Sequence, residues 1–147
     1  MVTEVDQSGK LEKTNVPTVI GFSNGKSKTL IISATDKLEL KQHFRTLGRR
    51  RAYVYKCFAA IIFLLIGGEK SLDLVIIDTE YPGQEPLIKN HLLNFFKSDG
   101  NDVVDKHSII FKRIGKASSA HKVVNDVFKG SAKAKTVSAK QLLDVLN

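Results

Sequence analysis

The 147-residue sequence predicts an α/β fold: a mixed five-stranded sheet, three antiparallel strands and then alternating helices and strands, with helices on both faces. Three observations carry this. The run Leu72-Asp73-Leu74-Val75-Ile76-Ile77-Asp78-Thr79-Glu80 has the Val/Ile/Leu density of a strand buried on both faces, in the middle of a covered sheet. Two strand-like runs flank Ser23-Asn24-Gly25-Lys26, and Asn-Gly readily takes the positive φ of a tight hairpin. A stretch that is apolar nearly all round stops at Gly67-Gly68, as a central helix packed on the sheet would.

In chain order, residues 3–11 read as a strand broken by the polar turn Gln7-Ser8-Gly9-Lys10. Thr18-Val19-Ile20-Gly21-Phe22 and Lys28-Thr29-Leu30-Ile31-Ile32-Ser33 form the hairpin. Thr35 or Asp36 can cap a short helix through Phe44, with Leu38, Leu40 and Phe44 as its apolar side. The central helix covers 49–66. After the strand ending at Glu80, Tyr81-Pro82-Gly83 makes a turn into a helix over 84–97, with Pro86 tolerated in its first turn. Leu87, Ile88, Leu92, Phe95 and Phe96 are its buried stripe. A polar loop over 98–106 leads to a last strand over 108–114. Ser118 or Ser119 caps a helix through 129, and Ser138 caps a final helix over 139–146. The order gives one domain, 1–147, with no internal repeat.

Bulk properties narrow the class. At 42% hydrophobic the chain is large enough for a proper core. The single cysteine, Cys57, excludes a disulfide framework or zinc cluster within one chain and fits a reducing, cytoplasmic setting. The first residues carry acids where a secretory signal would be basic. The longest uninterrupted apolar run, Cys57 to Ile66, is ten residues, roughly half a membrane span, which argues for a core helix and against a membrane partner. Net charge is +8, unevenly spread: residues 1–68 balance at +6, residues 69–111 at −4 and residues 112–147 at +6. An acidic middle between basic flanks suits a metal-dependent site acting on a polyanion; a lysine-rich solvated surface is the plainer alternative.

Asp78 and Glu80 lie two residues apart where the apolar strand runs out, so strand alternation aims both at one side. Two acids aimed at one point repel unless a proton or cation lies between them, which makes a divalent metal site the sharpest reading. Solvated acids, or acids capping the next turn, are the alternative.

With its element order established, the chain resembles the ribonuclease H-like superfamily, in particular the small stand-alone members from archaea and their viruses. Ile77-Asp78-Thr79-Glu80-Tyr81-Pro82-Gly83 and Ile114-Gly115-Lys116-Ala117-Ser118-Ser119-Ala120-His121 carry the resemblance. It implies an acid in the first strand, matching Asp6, and a second at the end of the fourth, matching Asp78, on neighbouring central strands that share metal ions. The family's third acid is a Glu in the helix after the third strand. Residues 51–66 hold no carboxylate, and Glu39 belongs to an earlier helix, so Glu80 is the candidate replacement. A last-helix position that is His in some branches matches His121, with Asp126 as substitute.

The implied function is a metal-dependent nuclease acting on RNA, DNA or a hybrid with little sequence specificity. Two Mg2+ or Mn2+ ions about 4 Å apart would be held by Asp6, Asp78 and Glu80, with His121 completing the catalytic set. The alternative is a catalytically inactive domain of the same fold that binds nucleic acid or a protein partner, which the missing helix Glu favours. For Asp6 a turn hydrogen bond with Ser8 and Gly9 is the plain alternative, and for His121 a surface or packing role. Arg49, Arg50, Arg51, Lys112, Arg113, Lys116 and Lys122 are the candidate phosphate contacts. Ser118, Ser119 and the helix start behind them can add backbone N–H groups, while Tyr53 and Tyr55 can stack on bases or pack in the core. His43, His91 and His107 show no ligand spacing. A glycine-rich phosphate loop and a nucleophile motif are both absent. A homo-oligomer is left open.

Overall fold

The first three strands are set by two turns. β1 (Val2–Ser8) and β2 (Thr18–Ser23) pair antiparallel, and β2 pairs antiparallel with β3 (Ser27–Ile32) across the Asn24-Gly25 turn, where Gly25 has φ 99°. The structure, a computed structural model, describes residues 2–102 and 104–147. Met1, and Val103 in the loop expected over 98–106, lie outside the described residues. α1 (Ala34–Thr46) and α2 (Ala52–Ile66) follow, then β4 (Leu74–Asp78), α3 (Glu85–Ser98), β5 (Ile109–Lys112), α4 (Ser119–Phe128), β6 (Lys135–Thr136) and α5 (Ala139–Leu146).

The sheet is mixed, in the order β5-β4-β1-β2-β3-β6, with β4 parallel to both β1 and β5. It has six strands, one more than expected. β6 is two exposed residues parallel to β3, too short and too polar to leave a periodic signal in sequence. α4 packs on β1, β2 and β3, and its small core of Val19, Val124 and Val127 is separate from the main one. The main core joins the other face of the sheet to α1, α2, α3 and α5 through residues such as Ile20, Phe22, Phe58, Leu65, Ile77, Leu92 and Leu142. Among the described residues, no helix is long and apolar enough to cross a membrane.

Several boundaries move for identifiable reasons. β1 continues through Gln7 and Ser8, so Asp6 stands inside a strand, not in a turn. Ser33, not Thr35 or Asp36, caps α1 by accepting the Asp36 N–H at 3.1 Å. Leu38 faces solvent at 44% exposure while Lys37 is fully buried; Lys37, Leu40 and Phe44 form the inward stripe. α2 starts at Ala52, which leaves Arg49, Arg50 and Arg51 in the exposed turn before it. β4 ends at Asp78, and Glu80 lies in the bend beyond, so strand alternation does not place it. Leu87 is 41% exposed, and Ile88, Leu92 and Phe96 carry the α3 stripe. β5 stops at Lys112 because the Ile114 N–H turns to a side chain of the site instead of a strand partner. α5 begins on Ser138 with a reciprocal capping box to Gln141, as its sequence foretells.

Candidate functional site

Alternation along β1 sends Val5 into the main core and Asp6 to the opposite, α4-covered face. The parallel register pairs Val5 with Ile77, so Asp6 and Asp78 come one step further along on adjacent strands, at the end where β4 stops. Gly21 is Asp6's partner on β2, and it determines how close α4 can come. A Cβ there would meet Val124 Cγ2 at 2.8 Å and Thr29 Cγ2 at 2.9 Å. Its absence lets α4 lie close enough for His121 Nδ1 to reach Asp6 Oδ2 at 2.9 Å.

The third acid arrives by another route. Glu80 is brought back by the turn after β4 and shares a hydrogen bond with Asp78. One carboxylate oxygen each from Asp6, Asp78 and Glu80 lies within 4.8 Å of the others. Asp78 is fixed from behind, its Oδ1 accepting the Ile114 N–H at 2.9 Å. With Asp6 ionised, His121 Nδ1 must carry the hydrogen of their bond, and the imidazole orients that carboxylate.

The electrostatics express the crowding. Burial pushes the Glu80 carboxyl up to about 8, reinforced by the hydrogen bond with Asp78 and the charges of Asp78 and Asp6; Lys10 pulls the other way. Asp6 is also raised, chiefly by burial, against the opposing effects of the Gln7 backbone and His121. The cluster therefore holds a proton it would give up to a cation. Three carboxylate oxygens this close could hold a metal ion.

The acids lie in a cleft of about 420 Å3, which His121, Lys10, Arg113 and Lys116 also line. Of the candidate phosphate contacts, Arg113 and Lys116 are therefore at the site. Lys112 is exposed and in register with Asp78, and Lys122 is exposed on the first turn of α4. Arg49, Arg50 and Arg51 do not line the cleft. His121, not Asp126, is the α4 residue hydrogen-bonded to Asp6. The α4 start is less open to an anion than its sequence suggests: Ser118 Oγ donates to Glu4 Oε1 at 3.1 Å and accepts the Ala120 N–H at 3.1 Å. Tyr53 is buried at 2% exposure, and Tyr55 is half-buried, edge-on to Tyr81 with ring centroids 5.8 Å apart, so both belong to packing.

Sequence reasoning missed Lys10, Gly21 and Glu4. Lys10 read as part of a turn, and only the pairing of Asp6 with Gly21 gives that glycine its meaning. No protein-family model matches the chain, and no curated protein matches it either.

Proposed function

We propose that the chain is a metal-dependent nuclease of ribonuclease H-like fold, hydrolysing RNA or DNA phosphodiesters with little sequence specificity. The observation that carries the reading is the convergence of Asp6, Asp78 and Glu80 oxygens within 4.8 Å in a cleft that Arg113 and Lys116 also line. The resemblance to that superfamily is supported by three antiparallel strands followed by parallel β4 and β5, with the two strand acids on neighbouring strands.

Asp6, Asp78 and Glu80 would hold the ion, which when bound supplies Lewis-acid activation of a phosphodiester and of water. The chain's own work is to orient and to neutralise. His121 holds the Asp6 carboxylate, and the Ile114 N–H holds Asp78. Arg113 and Lys116 neutralise phosphate without reading bases, hence the weak sequence preference.

One observation favours a second reading: α2 carries no carboxylate, so a catalytically inactive domain that binds nucleic acid or a protein partner is the alternative. The discriminating experiment incubates labelled single-stranded, duplex and hybrid substrates with Mg2+ or Mn2+. The nuclease reading requires metal-stimulated cleavage that Asp78→Asn abolishes while binding persists. Salt-sensitive binding without cleavage of any substrate leaves the alternative.

A further inference from the structure

The segment between β1 and β2 is fastened more tightly than a surface turn requires. Thr18 Oγ1 donates to the Gly9 carbonyl at 2.6 Å, Lys37 Nζ to the Lys10 carbonyl at 3.0 Å, and the Tyr53 hydroxyl lies 3.1 Å from the Leu11 carbonyl. Tyr81 accepts the Leu11 N–H at 3.3 Å. Three successive carbonyls are thus met by side chains from β2, α1 and α2. Lys37 is fully buried, and its ammonium also reaches the Val16 carbonyl at 2.8 Å and Thr18 Oγ1 at 3.0 Å. A buried charge needs such partners, and here all of them come from the loop and its first strand residue. Gly9 has φ +77°, and a Cβ there would come within 2.1 Å of the Pro17 carbonyl oxygen, so the turn admits only glycine.

Leu11 is buried completely, whereas its neighbour Lys10 is exposed and lines the acidic cleft. Lys10 Nζ lies 5.9 Å from the centroid of the Tyr81 ring, within reach of a cation–π attraction. Lys10 follows β1, while Arg113 and Lys116 follow β5. In the sheet order β5-β4-β1 these cations flank the end of β4, where Asp78 stands. A phosphodiester strand crossing Asp78 would meet a cation on each side.

We propose that Lys10 is a substrate-phosphate-binding residue of the cleft and that Lys37 is the positioning residue that fixes its backbone. The inference rests on the nuclease reading and extends it to a loop that carries no acid of the cluster. Lys13, exposed in the same loop and absent from the cleft lining, is the matched control.

The test uses the full chain with a labelled single-stranded oligonucleotide. Cleavage rates are measured in Mn2+, and binding is measured in EDTA over a range of salt. Lys10→Ala raises KM about tenfold, the loss of one charge-assisted contact, with kcat and melting temperature unchanged. It also lowers the slope of log affinity against log salt by about 0.7, one phosphate contact on a single strand. Lys10→Arg restores both, and Lys13→Ala changes neither. Lys37→Met reproduces the loss of slope with Lys10 still present; if it does not fold, Thr18→Val replaces it, since it removes an acceptor of the Lys37 ammonium together with the bond to Gly9. Lys10→Ala indistinguishable from Lys13→Ala overturns the inference and leaves the nuclease reading standing. A wild-type salt slope in the anchor variant overturns the positioning role of Lys37. Wild-type protein that neither cleaves nor binds overturns the nuclease reading, and this inference with it.

Discussion

The two faces of β1 and β4 are built to opposite ends, one residue apart. Toward α2 and α3 these strands offer Val5 and Ile77, each no more than 1% exposed, to a core continuous with Phe58, Leu92 and Phe96. Toward α4 they offer Asp6 and Asp78, and the apolar support there is the small cluster of Val19, Val124 and Val127. The first face supplies stability by removing apolar area from water. The second spends some of it, holding acids together where burial and mutual repulsion oppose ionisation. The lesson is that alternation lets one strand pair carry scaffold and site with little interference between them.

Neighbouring substitutions should separate the faces most sharply. Asp78→Asn is expected to lower metal-stimulated cleavage at least about a hundredfold, since it weakens an ion ligand. Thermal melting of the same variant should show no loss of stability. Ile77→Ala, on the other side of the same strand, should cost about 2–5 kcal/mol in denaturant unfolding yet keep activity below its melting range. If both variants lose stability alike, the faces are not independent.

His121 is the link between α4 and the acids. His121→Ala should weaken Mn2+ binding roughly 10–100-fold, as loss of an outer partner of a metal ligand does, which a calorimetric titration would read. Gly21→Ala tests the close approach of that helix. Its Cβ would press on Val124 and Thr29, with an expected cost of about 1–3 kcal/mol and weaker Mn2+ binding through the displaced His121. Unchanged Mn2+ affinity in Gly21→Ala would separate the packing of α4 from the site.

The smallest effect is one of pH. Glu80 keeps its proton in the folded protein up to about 8, whereas the unfolded chain releases it near 4.5. Across that window the folded state binds more protons, so the contribution to stability is full below the lower value and is lost as pH rises through the upper. Asp6 shifts in the same direction. Metal-free protein should therefore melt a few degrees lower as pH climbs through this window, and Mn2+ should raise the melting temperature more at its upper end. A melting temperature that does not fall with pH would show that the acids are not crowded.

Asp6 was marked only by the resemblance and Asp78 by its place where an apolar run ends, while the strands and helices were legible from their periodicity. β6 was not, since a two-residue polar strand exists only through its pairing with β3. Glu80 was legible as a member of the cluster but not for the reason its spacing suggested: a turn, not alternation, returns it to Asp78. The Arg49–Arg51 run drew notice as charge, yet the cleft takes its cations from Arg113, Lys116 and Lys10. Lys37 was illegible as a core residue, because its burial depends on loop carbonyls whose positions only the folded chain defines. Long-range placement of polar groups is what local pattern does not encode.

The acids' ability to share one ion is open to the most direct test. A crystal of the protein soaked in Mn2+ and measured at the manganese absorption edge should show an anomalous peak bridging Asp6, Asp78 and Glu80. A peak elsewhere, or none with the three carboxylates apart, would contradict it.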